Sequence, residues 1–323
     1  MERAARRLKR GKRGMNRRSF IGGAGACLAA FAAGRAAADE SRRRSVAVTL
    51  DDFNVFDTPA LSGEARNEAI LGALGQYRLR AVMYVAAKFV DGTDRMRLLR
   101  RWDERGHLIG NHTYSHPEYS RKTFEEFTRD IVRAEEVLKV LPRYRKLFRF
   151  PYLKEGATPE QRDRMRAFLK ERGYRNGHVT VDASDWYVDQ RLRDRLKQDP
   201  RADTAPYRDF YLAHIRERAL FYDDLAQKVL GRPVRHTLLL HHNVLNAMFL
   251  GDLLGMFKRE GWQLLDADDA FKDPVYKSEP QTAPAGESLI WALAKQTGKY
   301  ENLLRYPGED GEYEKPRMDA LGL

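Results

Sequence analysis

Cysteine is almost missing from this chain. Cys27 is the only one in 323 residues, so no intrachain disulfide can form. Long apolar runs are missing too. Residues 21–33 form a short, Gly- and Ala-rich stretch that is too brief to span a bilayer comfortably. Acidic residues are scarce only at the start. Residues 1–38 hold ten Lys/Arg and one Glu, and the rest of the chain holds 48 basic and 45 acidic side chains. The formal net charge of +12 therefore resides mostly in the leader, and the body carries only +3. That removes the main support for a nucleic-acid partner. Internal repeats are absent as well.

The leader has its own logic. Arg17 and Arg18 precede Phe20, the apolar stretch follows, and Ala36 and Ala38 fit an A-x-A cleavage site. This layout is similar to a twin-arginine export signal over residues 1–38, with Met15 as an alternative start. The competing readings are an uncleaved anchor and a lipidated Cys27. The expected product is an exported, periplasmic or secreted protein with no stable membrane span after cleavage.

In the body, β-branched or apolar runs at 45–50, 80–87, 107–110, 147–150, 176–182 and 236–242 predict strands. Helices are expected at 94–105, 123–141, 158–173, 247–260 and 267–272. Thr123 and Glu126 form a capping box, and Pro159 sits at a first helical turn. Such alternation argues for an α/β fold, either a parallel sheet or a barrel. Residues 187–235 interrupt it as a tyrosine-rich insertion of two helices around Pro200 and Pro206. Residues 273–323 form a C-terminal extension expected to wrap or to stay partly unordered.

Polar clusters stand at five strand ends, where parallel α/β folds gather their chemistry. Thr49-Leu50-Asp51-Asp52 puts two carboxylates on opposite sides of a strand, so one could bind a cation while the other acts as a base. His112 and His116, with Gly110-Asn111 before and Pro117 after, fit a compact bend carrying two imidazoles suited to Zn²⁺, Co²⁺ or Ni²⁺. The others are Arg149-Phe150-Pro151-Tyr152, Asp182-Ala183-Ser184-Asp185-Trp186 and Leu239-Leu240-His241.

In this order the five stretches resemble the polysaccharide deacetylase family, the NodB-homology domain of carbohydrate esterase family four. The resemblance covers about residues 45–272, apart from most of the insertion. It implies a distorted (β/α) barrel with a helical insertion and a metal-dependent hydrolase. The substrate would be an acetylated polysaccharide or oligosaccharide, with an N-acetyl amide ahead of an O-acetyl ester. Asp52, His112 and His116 would bind one divalent cation, Zn²⁺ first and Co²⁺ or Ni²⁺ next. Asp51 would be the base, paired with Arg149. His241 would be the acid, supported by Asp185, although the His241-His242 doublet leaves that assignment open by one residue. The Tyr152 backbone N–H would serve the oxyanion, and Trp186 and Leu239 would line the acetyl pocket. Two departures stand out. Phe53 occupies a position commonly Gly, and Leu153-Lys154-Glu155 replace a glycine-bearing stretch; both are expected to add bulk or charge near the groove. Two alternatives follow: an inactive glycan-binding envelope protein of the same fold, or a deacylase or deformylase of a lipid-linked sugar. The second would use Tyr207, Phe210, Tyr211, Phe221 and Tyr222. No oligomeric state is implied.

Overall fold

The computed structural model describes residues 43–92, 94–304 and 311–323. The leader motif and Cys27 lie outside them. Among the described residues, no helix is long and apolar enough to cross a membrane.

In chain order the elements are β1 (Ser45–Asp52), α1 (Gly63–Gln76), β2 (Val82–Val85), α2 (Met96–Glu104), β3 (Leu108–Asn111), α3 (Phe124–Leu138) and β4 (Tyr144–Phe148). They continue with β5 (Lys154–Gly156), α4 (Pro159–Glu171), β6 (Arg175–Asn176), α5 (Asp185–Gln198), α6 (Ala205–Leu230), β7 (Arg235–His241) and α7 (Val244–Arg259). The last are β8 (Gln263–Leu264), α8 (Ala267–Ala270), β9 (Ala285–Gly286), α9 (Leu289–Thr297) and α10 (Lys315–Ala320). The main sheet is parallel in the order β6-β4-β3-β2-β1-β7, with β8 pairing the start of β1. β1 is buried almost throughout, as an apolar run covered on both faces must be.

One expected strand is corrected. Residues 176–182 do not form a continuous strand. β6 pairs with β4 for two residues only, and then Val181 bridges Leu238 of β7. The Gly177 N–H still donates to Phe148 O, whereas the Val181 N–H donates to Thr237 O. The segment thus crosses from one sheet edge to the other and closes a distorted, incomplete barrel. A strand serving two different neighbours in turn cannot keep one regular ladder. β4 also ends earlier than expected, at Phe148, because Arg149-Phe150-Pro151 turns out of the strand.

Gly177 is required by close approach. A Cβ there would lie 2.1 Å from Tyr84 Oη. Gly177→Ala is expected to destabilise the fold by about 1–3 kcal/mol through overpacking. Differential scanning calorimetry should show a fall of a few degrees in Tm; an unchanged Tm would contradict this packing.

The two helices of the insertion, α5 and α6, form as expected, but they are not an appendage. Val188, Leu192, Tyr211, Ile215 and Tyr222 are buried in the same core as Leu50 and Leu238. Tyr207 and Phe210 are buried as well, and Phe221 is partly buried against that core. These aromatics pack the protein's interior, so the lipid-linked-sugar reading loses the feature that motivated it. The C-terminal extension wraps the barrel. β9 pairs antiparallel with β5, Ser288 Oγ donates to Thr180 O, and the Leu289 N–H donates to Val179 O. Glu314 and His214, both fully buried, lie 3.6 Å apart.

Candidate functional site

The carboxyl ends of β1, β3, β4 and β7 meet at one cleft. Asp52 ends β1 in a left-handed conformation, φ 78°. The bend after β3 is compact, as the flanking Asn and Pro suggested. Asn111 Oδ1 accepts the Thr113 N–H, Asp130 Oδ2 accepts those of Tyr114 and Ser115, and Thr113 Oγ1 accepts that of His116. Thr113 and His116 themselves have positive φ, 65° and 60°.

This bend aims both imidazoles at Asp52. The Asp52 Oδ1 lies 3.2 Å from His116 Nε2 and 3.5 Å from His112 Nε2. Their ligand atoms all lie within 4.8 Å of one another, and no other such group of three is found among the described residues. The His112 Nδ1–H donates to Arg149 O at 2.8 Å, which leaves the Nε2 lone pair facing Asp52. Asp52 Oδ1 is buried yet has no hydrogen-bond partner among the described residues. Burial pushes this carboxyl up, but the closeness of the His112 and His116 rings outweighs it and holds Asp52 well below the usual carboxylate range. An ionised carboxylate with an unused oxygen, beside two imidazole Nε2 atoms, is the donor set of a divalent cation.

Asp51 turns the other way, as alternation along a strand requires. It is 3% exposed, and Arg149 Nη1 donates to both its oxygens at 3.1 Å. Arg149 is itself buried. Its Nη2 donates to Thr49 Oγ1, its Nε donates to Gly177 O, and its guanidinium lies 4.3 Å from the centre of the Tyr84 ring. Every arm of this buried cation is thus occupied, which a charge out of water needs.

His241 and Asp185 form the second arm. The His241 Nδ1–H donates to Asp185 Oδ1 at 2.7 Å, and its backbone N–H donates to Oδ2 at 2.9 Å. The Asn243 and Asn246 side-chain amides also donate to Oδ2. Burial pushes the His241 imidazole down, but the Asp185 carboxylate overrides it, with Asp52 and Asp51 adding to it, and raises it to about 10. The two rings of the doublet point in different directions. His241 lines the cleft, whereas His242 packs 4.9 Å from the Phe53 ring and is driven down to about 3 by burial.

The cleft holds about 400 Å³, with Tyr152, Leu153, Asp182, Trp186 and Leu239 among its walls. All ten expected site residues meet here or directly behind it. Tyr152 has a left-handed backbone, and its ring packs on His116 at 4.7 Å. The expectation for Phe53 fails. It takes the positive φ (56°) that favours glycine, yet its ring is fully buried between His242 and Trp102, away from the groove. Lys154 pairs with Glu287 and Glu155 with Arg166, and only Leu153 of that trio lines the cleft. The supporting residues missed in the sequence are Tyr84, Gly177, Asn243 and Asn246. None stands in a motif, and each acts only through proximity created by the fold.

Residues 38–177 match the family described as polysaccharide deacetylase. The peptidoglycan-N-acetylmuramic acid deacetylase PdaA of Bacillus subtilis is 27% identical over 158 residues, 48% of this chain and 57% of that protein. A chitooligosaccharide deacetylase of a Bradyrhizobium species is 31% identical over 162 residues, 48% of this chain and 65% of that protein. The chain thus spans roughly half to two thirds of the length of these curated relatives. Among solved structures, a mutant of BA3943, a family-four pseudoenzyme from Bacillus anthracis, superposes with a TM-score of 0.50 at 16% identity. That match covers 71% of this chain and 68% of the other, and it speaks to the fold alone. Three of the five motifs lie inside the span matched to the family and the other two complete the same cleft, so the chain is similar to the polysaccharide deacetylase family over residues 38–177.

Proposed function

We propose that this protein is an exported hydrolase that removes acetyl groups from an acetylated glycan, N-acetyl amides before O-acetyl esters. The observation that carries this reading is the single cleft flanked by the Asp52, His112 and His116 cluster, the Arg149-held Asp51 and the Asp185-held His241. The relatives named above act on peptidoglycan or chitooligosaccharides, and the substrate is drawn from that class.

Asp52, His112 and His116 would hold the cation, with Zn²⁺ the best fit to one carboxylate and two imidazoles. When bound, it supplies Lewis-acid polarisation of the acetyl carbonyl and makes a nearby water more acidic. Asp51, aimed by Arg149, takes a proton from the attacking water as its oxygen bonds to the carbonyl carbon. The Tyr152 backbone N–H stabilises the developing oxyanion. The C–N bond then breaks, and His241 delivers its Nε2 proton to the departing amine. Asp185 keeps that imidazole protonated through Nδ1. Leu239 and Trp186 enclose the acetyl methyl and exclude water.

The test is acetate release from N-acetyl and O-acetyl oligosaccharides by residues 39–323. Treatment with a chelator is expected to abolish release, and Zn²⁺ or Co²⁺ to restore it. Release that survives complete metal removal would overturn the proposed cation site. No release from any substrate, with one cation bound per chain, would favour a glycan-binding protein. The export signal is tested separately. Changing Arg17 and Arg18 to Lys is expected to trap the precursor inside the cell.

A further inference from the structure

A second cavity of about 360 Å³ adjoins the cleft and shares Asp52, Trp186 and His241 with it. It lies between the loop after β1, the outer face of α5 and the start of α7. A group bound there is next to the leaving-group acid and beyond the acetyl pocket. We infer that this cavity is a subsite for a carboxylate carried by the glycan beside the acyl group being removed, and that Arg66 and Arg193 hold it. The inference rests on the proposed deacylation.

The loop over this cavity is already built. Arg66 Nη2 donates to Asn54 O and Phe56 O at 2.6 and 2.8 Å, and Asp57 Oδ1 accepts the Gly63 N–H. The remaining Arg66 donors are the informative ones. The residue is 2% exposed, yet its Nε and Nη1 have no hydrogen-bond partner among the described residues. Unmatched buried donors are costly, and a charged acceptor answers them best.

The opposite wall supplies a second guanidinium. Arg193 lines the cavity and donates through Nε to Asp189 Oδ2, and its side chain is 44% exposed. Of the three acids that line the cavity, Asp52 belongs to the cation cluster and the other two are already engaged. Asp189 also accepts the Leu245 N–H, and Asp57 caps the loop. Two planar cations over internally satisfied acids suit a planar anion, and a hydroxyl matches them less well. Phe56, 48% exposed at the rim and packed under the Arg95 guanidinium, offers an apolar face to a sugar ring.

The experiment compares three oligosaccharides of equal length and equal acetylation: neutral, carboxylate-bearing, and the methyl ester of the carboxylate-bearing one. The carboxylate form is expected to exceed its ester in kcat/KM by about 10-fold or more, and Arg193→Gln to bring that ratio close to one. Equal rates for acid and ester, with the neutral substrate still hydrolysed, would overturn the subsite and leave the deacetylase reading intact. Lactate serves as a free anion. If it binds as tightly as the acidic oligosaccharide, the site is a simple ion site and the inference fails. If no substrate is hydrolysed, the deacylation reading fails on its own. Calorimetric affinities for acid and ester then decide the subsite, tighter binding of the acid supporting it and equal binding rejecting it.

Discussion

Asp51→Asn is expected to lower kcat by about 10²–10⁴-fold while leaving one cation bound per chain. The amide keeps the size of the carboxylate but cannot accept the proton of water. The effect should appear in kcat more than in KM, because the lost interaction belongs to the transition state. A stability change should accompany it. Arg149 is 1% exposed, and Asp51 is its only carboxylate partner among the described residues. Breaking a buried ion pair from one side typically costs about 3–5 kcal/mol. Thr49, Gly177 and Tyr84 still contact the guanidinium, so a loss at the lower end of that range is expected. Metal titration, Tm and acetate release on the same sample separate the contributions. A folded, metal-bound variant that keeps a tenth of the activity would remove Asp51 from the role of base.

The site was legible in the sequence because its chemistry stands at strand ends. Apolar runs such as residues 45–50 and 236–240 locate the sheet, and the polar residues that close them are confined to its carboxyl edge. What the sequence hid was direction and support. Phe53 follows the paired aspartates and reads as bulk in the groove. Only its positive φ reveals that the ring turns into the core. Helix α1 went unread because Gly72 and Gly75 weaken its helical signal and its apolar face is poorly marked. Residues 176–182 carry a strand-like pattern, but their partners lie on two different strands, which no local pattern encodes. Tyr84 sits inside an ordinary apolar strand. Its role behind Arg149 exists only because Gly110 and Gly177 leave room for its ring. Asn246 is an unremarkable helix residue until the fold brings it to Asp185.

The other large effect is expected at Asp185. In the folded chain His241 is raised to about 10, whereas an unfolded histidine titrates near 6.5. A group whose folded pKa is raised contributes stability that is fully present below about 6.5 and is lost as pH climbs toward 10. For catalysis the same shift means that the acid stays protonated across the neutral range. Asp185→Asn removes the contribution that overrides burial, and burial alone favours the neutral ring. The alkaline limb of kcat/KM should therefore move down by several pH units, to 7 or below. At pH 8 the loss should reach about 10²-fold or more, and it should shrink as the pH is lowered. A cation held by Asp52 cancels part of that residue's pull on His241. The loaded wild-type enzyme should thus lose activity somewhat below pH 10, yet well above the variant. Because the same substitution removes the stability that the raised imidazole contributes, Tm should also fall at neutral pH, and that fall should fade as the pH approaches 10, whereas metal affinity should change little. An alkaline limb that does not move would mean that the proton delivered to the leaving group comes from somewhere other than the Asp185–His241 pair.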